Sequence, residues 1–476
     1  MMHRSLLSAA LGVLAAGSAS AAETPALTIY RADADTLFEN GGSPVADGYA
    51  VVHEQRAVKF PGSGRQTVFV DGLPAMLDAE AVSIDFGAGP RVLAQRVLSI
   101  GDGGSLAAHR GEEIQTVTRG GVSMTGTLVG VDGGALILRD SSGKITYVRE
   151  YDSVRFTQGT GLPGSTLQLV VDGGSGDVPA TLTYPTSGLG WRAAYSASLI
   201  DGGGCRLRLD ALASIANRSG RDFAGAKLKL VAGSPNIARS GGPRPMAYKA
   251  MASTPAPEEL PEQSSLGDYR SYTLDGMLDL PDSSVTQVPL YAPRETGCER
   301  RWIVENGGAW FPPKPMIAPN DVHVTNGPVL SELGFKTDDN LPAGQLRVLT
   351  RDRDNRTEFL GEARIADTQK GRAVNIALGN AFDLSASRER TTFSVDKADR
   401  EMNEGFRITL TNTGDTARTI TVREHPNRWR AWTLLSSSVK PTKQAPDLLE
   451  FSVPVPANGK ATLDYAVRYH WTPTDD

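Results

Sequence analysis

Residues 188–199, GLGWRAAYSASL, and residues 217–233, NRSGRDFAGAKLKLVAG, enclose the stretch of sequence that decides the fold. In both segments apolar and polar side chains alternate, which is the period of a half-buried β-strand. Between them a third alternating segment follows a Gly-rich turn, and one of its faces carries Cys205, Leu207, Leu209, Ala211, Ala213 and Ile215. These consecutive strands predict an antiparallel sheet near the middle of the chain.

The rest of the chain repeats this pattern of short alternating segments broken by Gly and Pro. With 51 Gly and 29 Pro among 476 residues and no long amphipathic helical pattern, the sequence predicts a mainly β protein. We expect tandem β-sandwich domains: an N-terminal β domain (22–110), a central β-sandwich (161–388) and a C-terminal immunoglobulin-like sandwich (389–476). The last strand gives the clearest signal, because one face carries Leu463, Tyr465, Val467, Tyr469 and Trp471.

Two internal segments differ from the surrounding strands. Residues 111–160 contain short strands separated by Gly-rich hairpin turns, so we predict a small SH3-like or Sm-like barrel inserted as a structural module. Residues 237–265 are rich in Pro, Ser and Glu and carry few side chains that could bury apolar surface. We therefore predict a disordered loop there, within the central sandwich.

The first residues have the pattern of a secretory signal peptide (1–21). Arg4 supplies a positive charge, an apolar run follows, and Ala19-Ser20-Ala21 matches a cleavage site, so the mature chain should begin near Ala22. The apolar run is shorter than the roughly 20 residues of a spanning helix, and no later stretch is apolar enough to span a membrane. We expect a soluble protein of the periplasm or the extracellular space.

The two cysteines, Cys205 and Cys298, each lie at the start of an apolar strand face. In an oxidising compartment a single pair of thiols is most simply a disulfide, so we predict a Cys205–Cys298 bridge. Two free buried thiols are the alternative, because the strand register is not known from the sequence. A catalytic cysteine is disfavoured, since neither thiol has a nearby His or a C-x-x-C partner.

Composition and motifs argue against several function classes. A net charge of −5 lacks the basic excess of a nucleic-acid binder. Residues 159–164, GTGLPG, match G-x-G-x-x-G, but the strand pattern after Pro163 predicts a linker turn instead of a dinucleotide site. The histidines stand singly, and residues 352–358, DRDNRTE, fit a charged hairpin turn better than a calcium loop. We predict no catalytic set, no cofactor and no metal site.

Residues 423–432, REHPNRWRAW, are the most distinctive surface candidate. Two Trp alternate with Arg here, a combination that can stack on sugar rings and pair with acidic glycans. We predict a binding surface formed by His425, Arg428, Trp429, Arg430 and Trp432. The alternative is that the Trp side chains cap the sandwich core above a solvated rim of Arg, because Trp is usually largely buried.

Several short motifs, in the same order, resemble those of a bacterial family. They are GWRAAY (190–195), NRSGRDF (217–223), LKLVAG (228–233), LPAG (341–344), FLGE (359–362) and LGNAFDL (378–384). In these motifs the chain is similar to the mucoidy-inhibitor-A-like proteins, which share a domain of unknown function (number 4139). The resemblance implies a secreted, mostly β protein and brings no catalytic residues. Many relatives have a segment that resembles a coiled coil at the place where this chain has the small module. The resemblance therefore does not imply that this chain forms a coiled-coil oligomer.

We therefore expect a non-enzymatic envelope protein that acts as a multi-domain β scaffold or binding module. Its partner would be an envelope protein or a cell-surface glycan. The alternative is an envelope glycan-processing hydrolase whose carboxylates are brought together only by the fold. A deep cleft with two facing carboxylates, or a cluster of histidines, would favour the enzyme.

Overall fold

The computed structural model describes residues 24–39, 41, 44–98, 106, 111, 113–156, 164–200, 202, 204–233, 262–266, 269–319 and 324–475. The predicted mainly β fold is confirmed, and the helical elements with defined bounds are α1 (Asp35–Phe38) and a 3₁₀ turn at Pro473–Asp475. Within these ranges no helix has the length and apolar character needed to cross a membrane. The chain divides into two compact units, unit 1 (Met1–Trp191 and Ile215–Thr286) and unit 2 (Arg192–Ser214 and Gln287–Asp476).

Unit 1 and its small module take their strands from the first 280 residues. In chain order these strands are β1 (Ala26–Tyr30), β2 (Ala50–Phe60), β3 (Arg65–Leu73), β4 (Ser83–Asp85), β5 (Arg91–Leu98), β6 (Glu113–Thr118), β7 (Ser123–Asp132), β8 (Ala135–Arg139), β9 (Ile145–Val148), β10 (Tyr151–Phe156), β11 (Ser165–Asp172), β12 (Gly176–Thr186), β13 (Leu189–Ile200), β14 (Arg206–Asn217), β15 (Phe223–Ala232), β16 (Glu262–Leu266), β17 (Tyr269–Thr273) and β18 (Leu278–Leu280). Strands β13 and β14 are divided between the two units.

The largest sheet of unit 1 has the order β16-β17-β15-β1-β2-β12-β4, with β18 beside β15, and a second sheet has the order β3-β11-β5. Strand β1 pairs in parallel with β15 and antiparallel with β2. The alternating apolar residues of β1, Leu27 and Ile29, are buried, as the period of a half-buried strand requires.

These pairings correct the domain boundaries predicted at residues 110 and 161. Strand β1 lies between β2 and β15, and β11 lies between β3 and β5. Strands before residue 110 and after residue 161 therefore share sheets and do not form separate domains. The physical reason is that sheet hydrogen bonds join segments that are distant along the chain.

The small module is a five-stranded antiparallel sheet with the order β10-β6-β7-β8-β9. A core of its own is formed by Ile114, Leu128, Leu136, Leu138 and Val148. The prediction of a separate strand-rich insertion is confirmed, but the prediction that its sheet closes into a barrel is wrong. No ladder joins β9 to β10 in the described part of the chain, so the sheet is open.

Unit 2 contains the parts of β13 and β14 that follow Trp191 and precede Ile215, together with the later strands, of which β19 has its first residues in unit 1. In chain order the later strands are β19 (Ser284–Asn306), β20 (Val324–Lys336), β21 (Gly344–Arg351), β22 (Thr357–Ile365), β23 (Ala373–Asp396), β24 (Glu401–Asn412), β25 (Arg418–Glu424), β26 (Trp432–Ser437), β27 (Lys443–Ala445), β28 (Leu448–Val455) and β29 (Gly459–His470).

The C-terminal part of unit 2 is the predicted sandwich. One layer is β20-β23-β24-β29-β26, and the other contains the end of β19 with β25, β28 and β27. One core takes side chains from both layers, including Val422 and Phe451 from one and Ile408 and Val467 from the other. The predicted buried face of β29 is confirmed. The sandwich begins before the predicted boundary at residue 389, which falls inside β23, and β25 pairs with β19 in parallel.

Three sequence predictions fall wholly or largely outside the described residues. They concern the signal peptide (1–21), the turn at 159–163 and the loop at 237–265, whose residues up to 261 are not described. The last four residues of that predicted loop, 262–265, belong to β16, which pairs with β17. Residues 262–265 therefore belong to a paired strand and not to a disordered loop, because their backbone groups form a ladder with β17. The charged hairpin turn is confirmed, since the Asp352 carboxylate accepts the N–H of Asp354 between β21 and β22.

Candidate functional site

The predicted disulfide between Cys205 and Cys298 is confirmed, with the two Cα atoms 4.9 Å apart. The N–H of Cys298 also donates to the carbonyl oxygen of Cys205 at 2.9 Å, so the bridge joins paired backbone segments at β14 and β19. It links residues 93 positions apart in the sequence. Disulfides of this kind form and persist in oxidising compartments.

The structure places Arg428, the first arginine of the predicted binding surface, inside the protein. Its side chain is 6% exposed, and Nε donates to Glu404 Oε1 at 2.6 Å. Nη1 donates to the carbonyl oxygens of Met316 and Ala318 at 2.8 and 2.9 Å. The prediction of a surface role for Arg428 is therefore wrong, because its donors are used to hold other parts of the chain.

Trp429 is also buried, with 1% of its surface exposed in the sandwich core. The Arg430 guanidinium lies 4.4 Å from the centre of the Trp429 ring and donates to Asp475 at 3.0 Å. This is the alternative arrangement that the sequence left open, with Trp in the core and Arg430 at the rim. Trp429 is thus not available to stack on a sugar ring.

His425 and Trp432 occupy intermediate positions. The Nδ1–H of His425 donates to the carbonyl oxygen of Asp447 at 2.6 Å, and Nε2 lies 2.9 Å from Glu305 Oε1. The Trp432 side chain packs partly against the core, and its Nε1–H donates to the carbonyl oxygen of Pro446 at 2.6 Å. Of the five predicted residues only Arg430, whose side chain is 64% exposed, retains a largely free surface.

A loop that the sequence analysis did not single out is held by these residues. Residues 307–319 follow β19, and the N–H of Met316 donates to the carbonyl oxygen of Arg428 at 3.0 Å. At the other end the N–H of His425 donates to the carbonyl oxygen of Asn306 at 3.1 Å, and the next residue, Gly307, has φ +82°. Between these two anchors, Trp310 is 56% exposed. We call residues 307–319 the Trp310 loop; the sequence signal that could have identified it is WFPPKP at 310–315.

A buried carboxylate in the sandwich, Glu424, is fully engaged by neighbouring donors. Arg388 Nε donates to it at 2.9 Å, Asn306 Nδ2 donates at 2.6 Å, and the Tyr465 hydroxyl donates as well. The Arg388 guanidinium also lies 3.6 Å from the centre of the Phe406 ring. Burial, together with the negative charge of Glu424, raises the pKa of Tyr465 well above its usual range, so the phenol stays a donor.

Glu404 is the second buried carboxylate of the sandwich. It accepts from Arg428, and Arg390 Nη1 lies 3.7 Å away. Burial raises the pKa of Glu404 despite the opposing effect of Arg428. Because paired and hydrogen-bonded charges are the form in which proteins tolerate buried ions, Glu404 acts as the anchor for Arg428.

Unit 1 contains a third carboxylate network, centred on Glu54 of β2. Arg221, from the NRSGRDF motif, donates to both carboxylate oxygens of Glu54 at 2.9 and 2.8 Å. The Tyr184 hydroxyl donates at 2.8 Å, and Arg56 Nη2 lies 2.9 Å away. Burial favours a raised pKa for Glu54, but the hydrogen bonds and charge of Arg221 with the charge of Arg56 outweigh it, so the pKa is lowered.

This network predicts an acid-sensitive contribution to the stability of unit 1. Because the folded-state pKa of Glu54 is lowered, its contribution is complete above the ordinary value of 4.5 and is lost as the pH falls through the folded-state pKa. In the Glu54→Gln variant the free energy of unfolding should be lower at neutral pH, with a shallower decline below pH 4.5. Urea unfolding at a series of pH values measures both. The exposed Glu80→Gln change is the control, and parallel profiles for wild type and Glu54→Gln would contradict the prediction.

The depressions on the described surface of unit 2 are small or open, as two of them show. One, of about 20 Å³, lies beside Tyr291 and Phe335 and has room for about one water molecule. The other is an open groove of about 440 Å³ lined mainly by the small polar side chains Asn326, Ser385, Ser387, Thr409 and Thr411, with the charged Lys460. Across the described ranges, no group of three or more His, Cys, Asp or Glu is placed to hold a metal ion.

The fold and the disulfide define a mainly β protein whose C-terminal sandwich is held together by buried Arg–Glu pairs. Residues 180–473 match the family described as Domain of unknown function (DUF4139). This match covers more than half of the chain, and the chain belongs to that family. No curated protein matches the chain.

Proposed function

We propose that this chain is a non-enzymatic binding protein of the bacterial envelope, in which β domains form a scaffold and the Trp310 loop contacts a partner. The observation that carries the proposal is the 56% exposure of Trp310 on a loop anchored at both ends. Trp is highly buried on average and is enriched among the residues that dominate binding, so an exposed Trp on an anchored loop is a candidate contact residue. The partner class is an envelope protein or a cell-surface glycan.

The construction of the Trp310 loop favours binding because little of it must be ordered on contact. Pro312, Pro313 and Pro315 restrict the backbone, and Ile317 packs against the sandwich core. Trp supplies a large rigid area at a low cost in side-chain entropy, which is why it is enriched in binding hot spots. A preorganised loop loses less conformational freedom on association.

The state of the buried carboxylates also supports a binding role. A glycan hydrolase of the usual kind needs two carboxyl groups about 5–10 Å apart, facing each other across the bond that is cleaved. Glu54, Glu404 and Glu424 are instead bound to Arg221, Arg428 and Arg388 at 2.6–2.9 Å. In these positions the carboxylates stabilise the sheets.

We place the protein in the periplasm or the extracellular space. The signal-peptide pattern in residues 1–21 supports secretion, and the Cys205–Cys298 bridge supports an oxidising compartment.

Crosslinking in cells tests this proposal. A photoreactive phenylalanine analogue at position 310 should form a discrete adduct with an envelope protein or glycan, identified by mass spectrometry. The matched control is the same analogue at Phe382, a fully exposed aromatic residue of the same unit. Equal labelling from both positions would contradict the role of Trp310. Release of reducing ends from envelope polysaccharide by the purified protein would contradict the non-enzymatic part.

A further inference from the structure

Two arginines lie side by side where β19 and β25 run in parallel. The ladder pairs Trp302 with Ile420. Arg300 is two residues before Trp302, and Arg418 is two residues before Ile420, so the register places both on the same face of adjacent strands. Both guanidinium groups stack on one indole: that of Arg418 lies 4.5 Å and that of Arg300 6.0 Å from the centre of the Trp302 ring.

No described carboxylate forms an ion pair with either arginine of this pair. Arg300 Nη2 donates to the Ser331 hydroxyl at 3.2 Å, and in the described part of the chain neither Arg300 nor Arg418 has a carboxylate within ion-pair distance. Several other arginines of unit 2 have a carboxylate partner. The ion pairs include Arg388 with Glu424, Arg407 with Asp464 and Arg423 with Glu450.

An arrangement of this kind is unfavourable in the free protein. Like charges on adjacent strands destabilise a sheet. Burial and the positive charge of Arg418 both lower the pKa of Arg300. An anion between the two groups would relieve this repulsion and supply the missing partner.

We propose that Arg300, Arg418 and Trp302 form a binding site for an oxyanion group such as a carboxylate or a phosphate. Each guanidinium presents a planar fork of N–H donors that matches two oxygens of such a group. The Trp302 ring holds the guanidinium planes by cation–π contact, which reduces the side-chain freedom lost on binding. We call these three residues the oxyanion site. The site deepens the proposed binding function, because it specifies an acidic polymer or a free anion as its ligand.

Calorimetric titration at low salt with three probes tests the site. Oligogalacturonate carries carboxylates on sugar rings, its methyl ester has the same rings without the charge, and sodium phosphate is a free anion. We expect oligogalacturonate, phosphate or both to bind the wild-type protein, and the methyl ester to bind at least about tenfold more weakly than the acid, equal to about 1.4 kcal/mol.

The variants R300Q and R418Q remove one charge each and keep a polar side chain of moderate length. Each should weaken binding by about tenfold, and the control R407Q, which removes an exposed arginine paired with Asp464, should not. Because neither Arg300 nor Arg418 has an acidic partner in the described residues and each variant removes one of two repelling charges, the thermal midpoint of both variants should be no lower than that of the wild type.

The outcomes separate the two ligand sources. Binding of oligogalacturonate without binding of phosphate identifies an acidic polysaccharide, and binding of phosphate alone identifies a free anion. Absence of binding by both, equal binding of the acid and its ester, or an equal loss in R407Q would overturn the oxyanion site. The binding of oligogalacturonate and of its methyl ester is compared with the wild-type protein, so this test of the oxyanion site does not depend on the folding of any variant. The crosslinking result at Trp310 is independent of these titrations, so failure of one proposal is distinguishable from failure of the other.

Discussion

Replacement of Cys205 and Cys298 by Ser is expected to lower the free energy of unfolding of unit 2 by about 2–5 kcal/mol. The bridge closes a segment of 93 residues, so its loss gives the unfolded chain a large gain in conformational freedom. It also joins the backbone at β14 and β19, two neighbouring strands of the sheet of unit 2. Urea unfolding of the oxidised wild type and of the double Ser variant measures the difference.

Reduction provides the matched control for the disulfide prediction. Dithiothreitol should shift the unfolding midpoint of the wild type towards that of the double Ser variant and should leave the variant unchanged. Equal midpoints for the oxidised wild type and the variant would contradict the prediction. Two alkylatable thiols in protein isolated from the periplasm would show that the bridge is absent there.

The Trp429→Ala variant is expected to lose about 3–5 kcal/mol of stability. Trp429 is buried in the core that joins the two layers of the sandwich, so truncation removes its apolar contacts and leaves a cavity. The change also removes the ring beneath the Arg430 guanidinium. Urea unfolding followed by near-ultraviolet circular dichroism reports on this core.

Trp310→Ala is the matched control, because it removes the same side chain from the surface of the same unit. Its free energy of unfolding should stay within about 0.5 kcal/mol of the wild type. If Trp429→Ala behaves like Trp310→Ala, Trp429 is not part of the core. The surface interpretation of residues 428–432 predicts that result, whereas the structure predicts the opposite.

The two interpretations of residues 423–432 show where sequence patterns stop being informative. Arg and Trp in alternation are compatible with a ligand-binding surface and with a capped core, because both environments suit an aromatic ring beside a guanidinium. The partners that decide between them, Glu404 and the carbonyl oxygens of Met316 and Ala318, are brought to Arg428 only by the fold.

Local periodicity was sufficient for other features. The alternating residues of β29 predicted a buried face, and the structure buries Leu463, Tyr465, Val467 and Tyr469. The positions of Cys205 and Cys298 at the starts of two apolar strand faces predicted a bridge that the strand pairing makes possible. The buried face depends on the two-residue period of a strand, which a single segment of sequence displays, whereas the bridge was predicted from a single pair of thiols in an oxidising compartment.

The sequence by itself determined the mainly β class, the family and the separate strand-rich module, and it predicted the disulfide while leaving two free thiols as the alternative. Tertiary structure alone decided which strands are neighbours, that the module is an open sheet, and that Trp429 is buried while Trp310 is exposed. It also decided that Arg300 and Arg418 stack on one indole. The physical reason is that side-chain alternation is a local property of each strand, whereas pairing, closure and charge balance depend on hydrogen bonds and contacts between residues far apart in the chain.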